Sequence, residues 1–153
     1  MKKKVLFVYP ELMLGGSTTS LISLLNSIDY IRYEVDLILY KNSGEYFNKL
    51  PLQVNVLPES SILHKDSLLD KYKKNCKFIL SGIFIKAFIY ELVYKRRIGF
   101  NNQVISEFYC KNSRKLEGKY DVAIGYLELW ADYYKKKKVS ATKKIIWIHI
   151  DYL

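Results

Sequence analysis

The spacing of apolar residues near the amino terminus predicts a strand, a loop and a helix in immediate succession. Residues 5–9 form an uninterrupted apolar run, which is typical of a strand covered on both faces in a parallel sheet. Residues 10–16 begin with proline and end in two glycines, so they predict a loop that lets a ligand approach the backbone. The helical spacing i, i+3, i+4 and i+7 then places on one apolar stripe the residues Leu21, Leu24, Leu25 and Ile28.

The start of this helix is a candidate anion site. Ser17, Thr18 or Thr19 can cap the helix by accepting a bond from a free backbone N–H. The exposed amides and the macrodipole at a helix start favour a bound anion. The segment GGSTTS matches neither the GxGxxG fingerprint nor a Walker loop, since no lysine follows the second glycine. Two interpretations stay open: Gly15 and Gly16 admit a ligand, or they only make the turn tight.

Further strands are predicted where short apolar or alternating runs recur between turn residues. These runs cover residues 33–40, 53–57, 122–126 and 143–150. Residues 45–50 predict one or two helical turns ended by a proline, and a short helix is expected to begin near Trp130. The lysines at 135–138 fit the solvated basic carboxyl end of that helix.

The order of these elements predicts an α/β fold. We expect a Rossmann-like, doubly wound, mostly parallel five-stranded sheet in the order 3-2-1-4-5, with helices on both faces, in a single domain over 1–153. Ligands of such sheets bind outside the carboxyl ends of the strands, where the winding reverses. Three loops (10–17, 126–130 and 149–152) should meet there. They would bring together as candidate site residues Gly15, Gly16, Ser17, Glu128, His149 and Asp151.

The middle of the chain has a different pattern. Residues 60–113 are mostly helical in periodicity, and 78–94 are apolar nearly all round between basic flanks. Lys86 and Glu91 interrupt this run, which argues against a transmembrane helix. Residues 71–97 are therefore expected either to lie on an anionic membrane surface or to pack under a neighbouring element with solvated basic ends.

Charge and composition narrow the functional classes. The chain has 153 residues and a formal net charge of +10, which suggests a polyanionic partner. Nucleic acid is not expected as a partner, because no motif that reads nucleic acid accompanies the charge. Cys76 and Cys110 have no metal-binding spacing and indicate reduced thiols, and His64 and His149 are too isolated for a metal site. We therefore expect a cytoplasmic protein without a metal, which is peripheral on the inner face of the membrane if residues 71–97 bind that surface rather than pack under a neighbouring element.

Four segments together resemble the amino-terminal half of bacterial family-4 glycosyltransferases. They are KKVLFVYPELMLGGSTTSLISLLNSID, YEVDLILYKNSGEYFNKLP, KYDVAIGYLELWADYY and KKIIWIHIDYL. The resemblance implies a retaining enzyme of GT-B architecture, in which a nucleotide-diphosphate sugar is the donor substrate. It assigns Gly15 and Gly16 to the side of the donor diphosphate and His149 to the transferred sugar. Glu128 would line the acceptor side.

The resemblance also has departures. Thr18 and Thr19 stand where many relatives carry an acidic and a basic residue. The second domain of the family, with its Glu-x7-Glu motif and most of the nucleotide-sugar site, is not contained in these residues. The chain therefore resembles the acceptor-side domain of an enzyme that glycosylates a polysaccharide or lipid-linked precursor. It would bind no cofactor and be inactive alone. The alternative is a stand-alone, non-catalytic Rossmann-like binding module, or a degenerate half-enzyme that needs a partner.

Overall fold

The computed structural model describes residues 1–60, 106–107 and 109–148. Residues 106–107 and 109–111 are helical. The other helices and strands are β1 (Lys3–Tyr9), α1 (Gly16–Ser27), β2 (Tyr33–Leu39), a 3-10 helix (Phe47–Lys49), β3 (Asn55–Val56), β4 (Lys119–Gly125), α2 (Trp130–Lys138) and β5 (Ser140–Ile146).

The five strands form one parallel sheet in the order β3-β2-β1-β4-β5. β1 lies in its centre, with Val5 paired to Val35 of β2 on one side and to Val122 of β4 on the other. β1 and β2 each have five consecutive buried residues, which are all apolar in β1 and apolar except for Asp36 in β2, as is typical of parallel strands covered on both faces. The predicted fold class and strand order are confirmed.

Helices cover both faces of the sheet. On one face, Leu21 and Leu25 of α1 are fully buried against the apolar residues of β1 and β2, with Leu24 and Ile28 at the margin. On the other face, Ala131 and Tyr134 of α2 pack with Cys110 of the helical residues 109–111. The predicted apolar stripe of α1 is therefore its packed face.

A buried carboxylate links three strands. Asp36 of β2 accepts one hydrogen bond from the Tyr120 hydroxyl at 2.7 Å and another from the Asn55 side-chain amide at 2.7 Å. These partners lie on β4 and β3, so the Asp36 carboxylate fixes strands that are distant in sequence. Burial, followed by the hydrogen bond to Asp36, raises the pKa of Tyr120 well above its usual value.

Element bounds differ from the predictions where pairing overrides the local pattern. The last strand begins at Ser140 and ends at Ile146, rather than covering 143–150, because β4 supplies partners from Lys119 onward. The third strand is shorter than 53–57, and a 3-10 helix replaces the helical turns predicted at 45–50.

The apolar segment 78–94 and the basic flanks within 71–97 lie outside the described residues. Within the described parts of the chain, every helix is too short or too polar to cross a membrane.

Candidate functional site

The candidate site is the edge of the sheet where β1 and β4 end, which we call the rim. It consists of the loop 10–15 after β1, the first turn of α1 and the loop 126–129 after β4. β1 and β4 are neighbours, and their following helices cover opposite faces, so the rim lies at the reversal of winding. The rim includes Gly15, Gly16, Ser17 and the half-buried Glu128. His149 and Asp151, the other predicted site residues, lie outside the described residues.

The fold does not require glycine at position 15 or 16. A Cβ atom added at either residue would meet no other atom within 4 Å. Gly15 has φ 167°, which is extended backbone that any residue adopts. A tight turn therefore does not explain this glycine pair. What the pair does provide is an exposed backbone without side chains beside the start of a helix.

The predicted hydroxyl cap of α1 is wrong. Gly15 is the N-cap residue, and no side chain caps the helix start. Ser17 and Thr18 lie within the first turn, where their hydroxyls each form a 2.9 Å hydrogen bond with the Tyr9 hydroxyl. The Thr19 hydroxyl donates instead to the Gly15 carbonyl at 3.1 Å. The first N–H groups of α1 therefore keep the unfilled hydrogen-bonding capacity of a helix start.

The loop after β1 is held by the loop after β2. The buried Leu12 accepts a backbone hydrogen bond from Tyr46 at 3.1 Å and donates one to Ser43 at 3.0 Å. The Ser43 hydroxyl also donates to the Glu11 carboxylate. Gly44 has φ 122°, and a Cβ atom there would lie 2.1 Å from the Leu12 carbonyl oxygen. The glycine pair is thus presented by a fixed backbone.

Tyr126 joins three elements at the rim. Its ring is fully buried, and its hydroxyl lies 2.8 Å from the Ser20 hydroxyl on α1. The ring also stacks on Trp147, just past β5, with 5.2 Å between ring centroids. Sequence reasoning did not identify Tyr126 or its counterpart Tyr9. The available signal was a tyrosine at the carboxyl end of β1 and another directly after the adjacent strand β4.

The loop after β4 contains a strained residue. Leu129 has φ 62° and ψ −115°, outside the regions that a leucine normally occupies. It lies between Glu128 and the buried Trp130, and its carbonyl accepts the Tyr133 backbone N–H at 3.1 Å. Strain of this kind persists only where the surroundings impose it, and it is common at binding sites. A strained residue therefore lies directly next to Glu128 in the rim.

One of the lysines predicted to be solvated is buried. The Lys135 side chain is 1% exposed, and its Nζ donates to the Ile145 carbonyl at 2.8 Å and pairs with Asp132 at 3.1 Å. Burial lowers the pKa of Lys135, and Asp132 offsets part of this effect. Burial raises the pKa of Asp132, but the hydrogen bonds from Lys136 and Lys135 outweigh it and leave that pKa below its usual value. Lys135 therefore joins α2 to β5 behind the rim.

These features fit an anionic ligand held by backbone amides. The first turn of α1 contains no acidic residue, and its amides and dipole face the rim. The Glu45 carboxylate accepts the Leu14 N–H at 3.2 Å, so one nearby amide is occupied and a negative charge is close. A separate concave surface, lined by Lys2, Lys3 and Arg32 among others, lies at the amino end of the sheet, at the opposite end from the rim. No protein-family model matches the chain, and no curated protein matches it.

Proposed function

We propose that the chain is the acceptor-side, amino-terminal domain of a retaining GT-B glycosyltransferase. The whole enzyme transfers a sugar from a nucleotide-diphosphate donor to a polysaccharide or lipid-linked acceptor. One observation supports this proposal most: Gly15 and Gly16 lie exposed at the reversal of winding, although packing does not require glycine at either position. A phosphate group can approach such a backbone closely, next to unfilled helix amides.

Each rim residue has a role in the proposal. The amides near Gly15, Gly16 and Ser17 face the donor diphosphate and stabilise the charge that develops on it as the sugar departs. Glu128 contacts the acceptor. His149 positions the transferred sugar and Asp151 binds substrate, as the resemblance implies. These two residues act by binding and orientation, and no metal takes part.

In this proposal the domain is inactive alone. Glu45 places a carboxylate beside the glycine loop, so this rim by itself binds a diphosphate weakly. The basic groups that offset the charge come from the second domain of the enzyme. The sequence segment 71–97 holds the enzyme on the anionic inner face of the membrane, where a lipid-linked acceptor is presented.

The first test is the mass of the native protein in source cells. A product about twice as heavy as this 18.1 kDa chain, with a Glu-x7-Glu motif in its second half, is expected. A native product of 18.1 kDa would instead favour the binding module or the half-enzyme that needs a partner.

The second test uses the full-length protein with a panel of nucleotide-diphosphate sugars and extracted membrane lipids as acceptors. We expect release of the nucleotide diphosphate and a product whose anomeric configuration matches that of the donor. Gly15→Leu should lower transfer by at least about tenfold, because the side chain fills the space of the diphosphate. Ser23→Leu, at an exposed position of α1, is the matched control and should keep full activity. Full activity in Gly15→Leu would contradict the proposal.

Membrane attachment is tested separately. Co-sedimentation with vesicles of anionic phospholipid should fall with added salt and on replacing Lys95, Arg96 and Arg97. Binding that does not depend on salt would refute this part and leave the transferase proposal intact.

A further inference from the structure

Three hydroxyl groups meet at the rim, next to the glycine pair. Tyr9 ends β1 and is only 2% exposed. Its hydroxyl lies 2.9 Å from the Ser17 hydroxyl and 2.9 Å from the Thr18 hydroxyl, both in the first turn of α1. Thr18 is also 2% exposed, whereas Ser17 is half-buried. The cluster therefore leads from two buried hydroxyls to one that reaches the surface of the rim.

Burial decides the direction of the two hydrogen bonds in this cluster. Each hydroxyl has one proton to donate, and a buried proton without an acceptor is costly. Among the described residues, the hydroxyl of Tyr9 is the partner of the Thr18 hydroxyl, so Thr18 donates to Tyr9. The Tyr9 proton then goes to its other partner, Ser17. Any other arrangement leaves the buried proton of Thr18 or of Tyr9 without an acceptor in the described parts of the chain.

This direction makes the Ser17 hydroxyl a hydrogen-bond donor toward a ligand. Its oxygen accepts the proton of Tyr9, so its own proton is left for a group outside the cluster. Because hydrogen bonds in a chain polarise one another, donation from Thr18 and Tyr9 strengthens Ser17 as the last donor. An ionised oxygen is the acceptor that forms the strongest bond with such a donor.

A second observation at the same loop points to a negatively charged ligand oxygen. The Glu45 carboxylate, from the loop after β2, accepts the Leu14 N–H at 3.2 Å. Leu14 directly precedes the glycine pair, and Ser17 directly follows it. The backbone on one side of the glycine pair therefore already holds an ionised oxygen, and a hydroxyl donor stands on the other side.

We propose that Tyr9 is a positioning residue, which directs the Ser17 hydroxyl toward an ionised phosphate oxygen of the ligand. Thr18 supports this role by donating to Tyr9. The inference rests on the proposed function, in which the ligand is the diphosphate of the sugar donor. It adds one directed side-chain donor to the backbone amides at the start of α1, and this donor favours an oxyanion at Ser17 over a neutral group.

A double-mutant cycle separates this role from a purely structural one. If Tyr9 only held α1 against the sheet, its loss would weaken ligand binding by the same factor with or without the Ser17 hydroxyl. If Tyr9 acts through Ser17, the loss of Tyr9 has no further effect on binding once the Ser17 hydroxyl is removed. The two roles therefore predict different affinities for the double variant.

The test measures the binding of inorganic pyrophosphate to the 153-residue chain, by NMR titration of its backbone amides against sodium chloride of equal ionic strength. The amides of Gly15, Gly16 and Ser17 should shift and saturate with pyrophosphate only. Ser17→Ala should weaken binding about tenfold, because a hydrogen bond to a charged group is lost. Tyr9→Phe should weaken it about threefold, since the serine hydroxyl then spreads over three staggered rotamers. The double variant should bind as Ser17→Ala does.

The matched control is Tyr30→Phe, which also removes a tyrosine hydroxyl bonded to α1. Tyr30 donates to the Leu25 carbonyl at 2.6 Å, in the last turn of the helix, so its loss should leave pyrophosphate affinity unchanged. Ser17→Thr keeps a hydroxyl at the same position and should bind within about twofold of the wild type. The amide spectrum of each variant shows whether the sheet and α1 remain folded.

Three results would overturn the inference, and they separate it from the proposed function. An equal loss from Tyr9→Phe with and without the Ser17 hydroxyl would make Tyr9 purely structural and leave the transferase proposal intact. Full affinity in Ser17→Ala would show that the backbone amides bind pyrophosphate alone, with the same consequence. Amide shifts that do not differ between pyrophosphate and sodium chloride would exclude the anion site, and would therefore count against both proposals.

Discussion

The hydroxyl of Tyr126 lies 2.8 Å from the hydroxyl of Ser20, a residue 106 positions earlier in the chain. This hydrogen bond joins the loop after β4 to α1, which is the helix that follows the neighbouring strand β1. Since the Tyr126 ring also stacks on Trp147, one buried side chain relates the start of α1 to the end of β5. The relative position of the rim loops therefore depends on a side chain outside the glycine motif.

Tyr126→Phe should reduce the free energy of unfolding by about 1 kcal/mol, since it removes a hydroxyl and keeps the ring. Urea unfolding of Tyr126→Phe, Ser20→Ala and the double variant isolates the coupling between the two hydroxyls. Ser23→Ala, on an exposed position of the same helix, is the control and should be nearly neutral. Additive effects of the two changes would show that the bond contributes nothing.

Gly44→Ala should be much more destabilising than Gly118→Ala. Both glycines have positive φ, at 122° and 104°, so both substitutions strain the backbone by about 1 kcal/mol. Only at Gly44 does the new Cβ also collide with backbone, 2.1 Å from the Leu12 carbonyl oxygen. We expect an added cost of roughly 2 kcal/mol or more and faster amide exchange in the loop after β1. Equal losses of stability would contradict the described contact.

Asp132→Asn should destabilise the chain by about 2 kcal/mol at neutral pH, because it leaves the buried Lys135 charge without its carboxylate. The pKa of Asp132 lies below its ordinary value of 3.8, so the native state favours the ionised form. Its contribution is present above that pH and is lost as the pH falls through the lowered folded pKa. The stability difference between wild type and variant should therefore vanish in acid.

Two further variants complete this experiment. Lys135→Met should cost less than Asp132→Asn at neutral pH, since an apolar side chain in that buried position leaves no unpaired cation. Asp121→Asn changes an exposed carboxylate on β4 that accepts the Lys4 N–H at 2.8 Å, and its effect should stay within about 1 kcal/mol. A larger loss at Asp121 than at Asp132 would argue against the buried pair.

Tyr120→Phe should make the protein less stable at neutral pH but less sensitive to alkali. The folded pKa of Tyr120 is raised above its ordinary value of 10.0, so the native state retains the proton more tightly than the unfolded chain. Its stabilising contribution is present below pH 10.0 and declines as the pH rises from there toward the folded pKa. Thermal unfolding against pH should show a shallower alkaline decline in Tyr120→Phe. Parallel curves would mean that Tyr120 is not the responsible group.

The sequence predicted the fold correctly because the signals that define it are local. The apolar runs of β1 and β2 and the helical stripe through Leu21 and Leu25 each reflect burial within one element. The rules for parallel connections then leave few possible strand orders, and 3-2-1-4-5 is the one observed. The predicted convergence of the loops after β1 and β4 followed from that order.

Two predictions of local detail were wrong because side-chain contacts with another element decided the outcome. Ser17 and Thr18 suit a cap by composition, but Tyr9 draws their hydroxyls toward the sheet. Lys135 belongs to a basic run that looks solvated, but the carbonyl of Ile145 and the carboxylate of Asp132 surround its ammonium group. No periodicity along one segment encodes such partners.

The sequence by itself therefore determined the class of fold, the order of its strands and the placing of Gly15 and Gly16 between β1 and the body of α1. Only the tertiary structure decided that these glycines have no packing role and that Tyr126 connects the rim. It also decided that β5, whose apolar run matches a covered strand, is left exposed in the described sheet. The physical reason is that periodicity records how much of an element is buried, whereas contacts between distant residues decide what covers it.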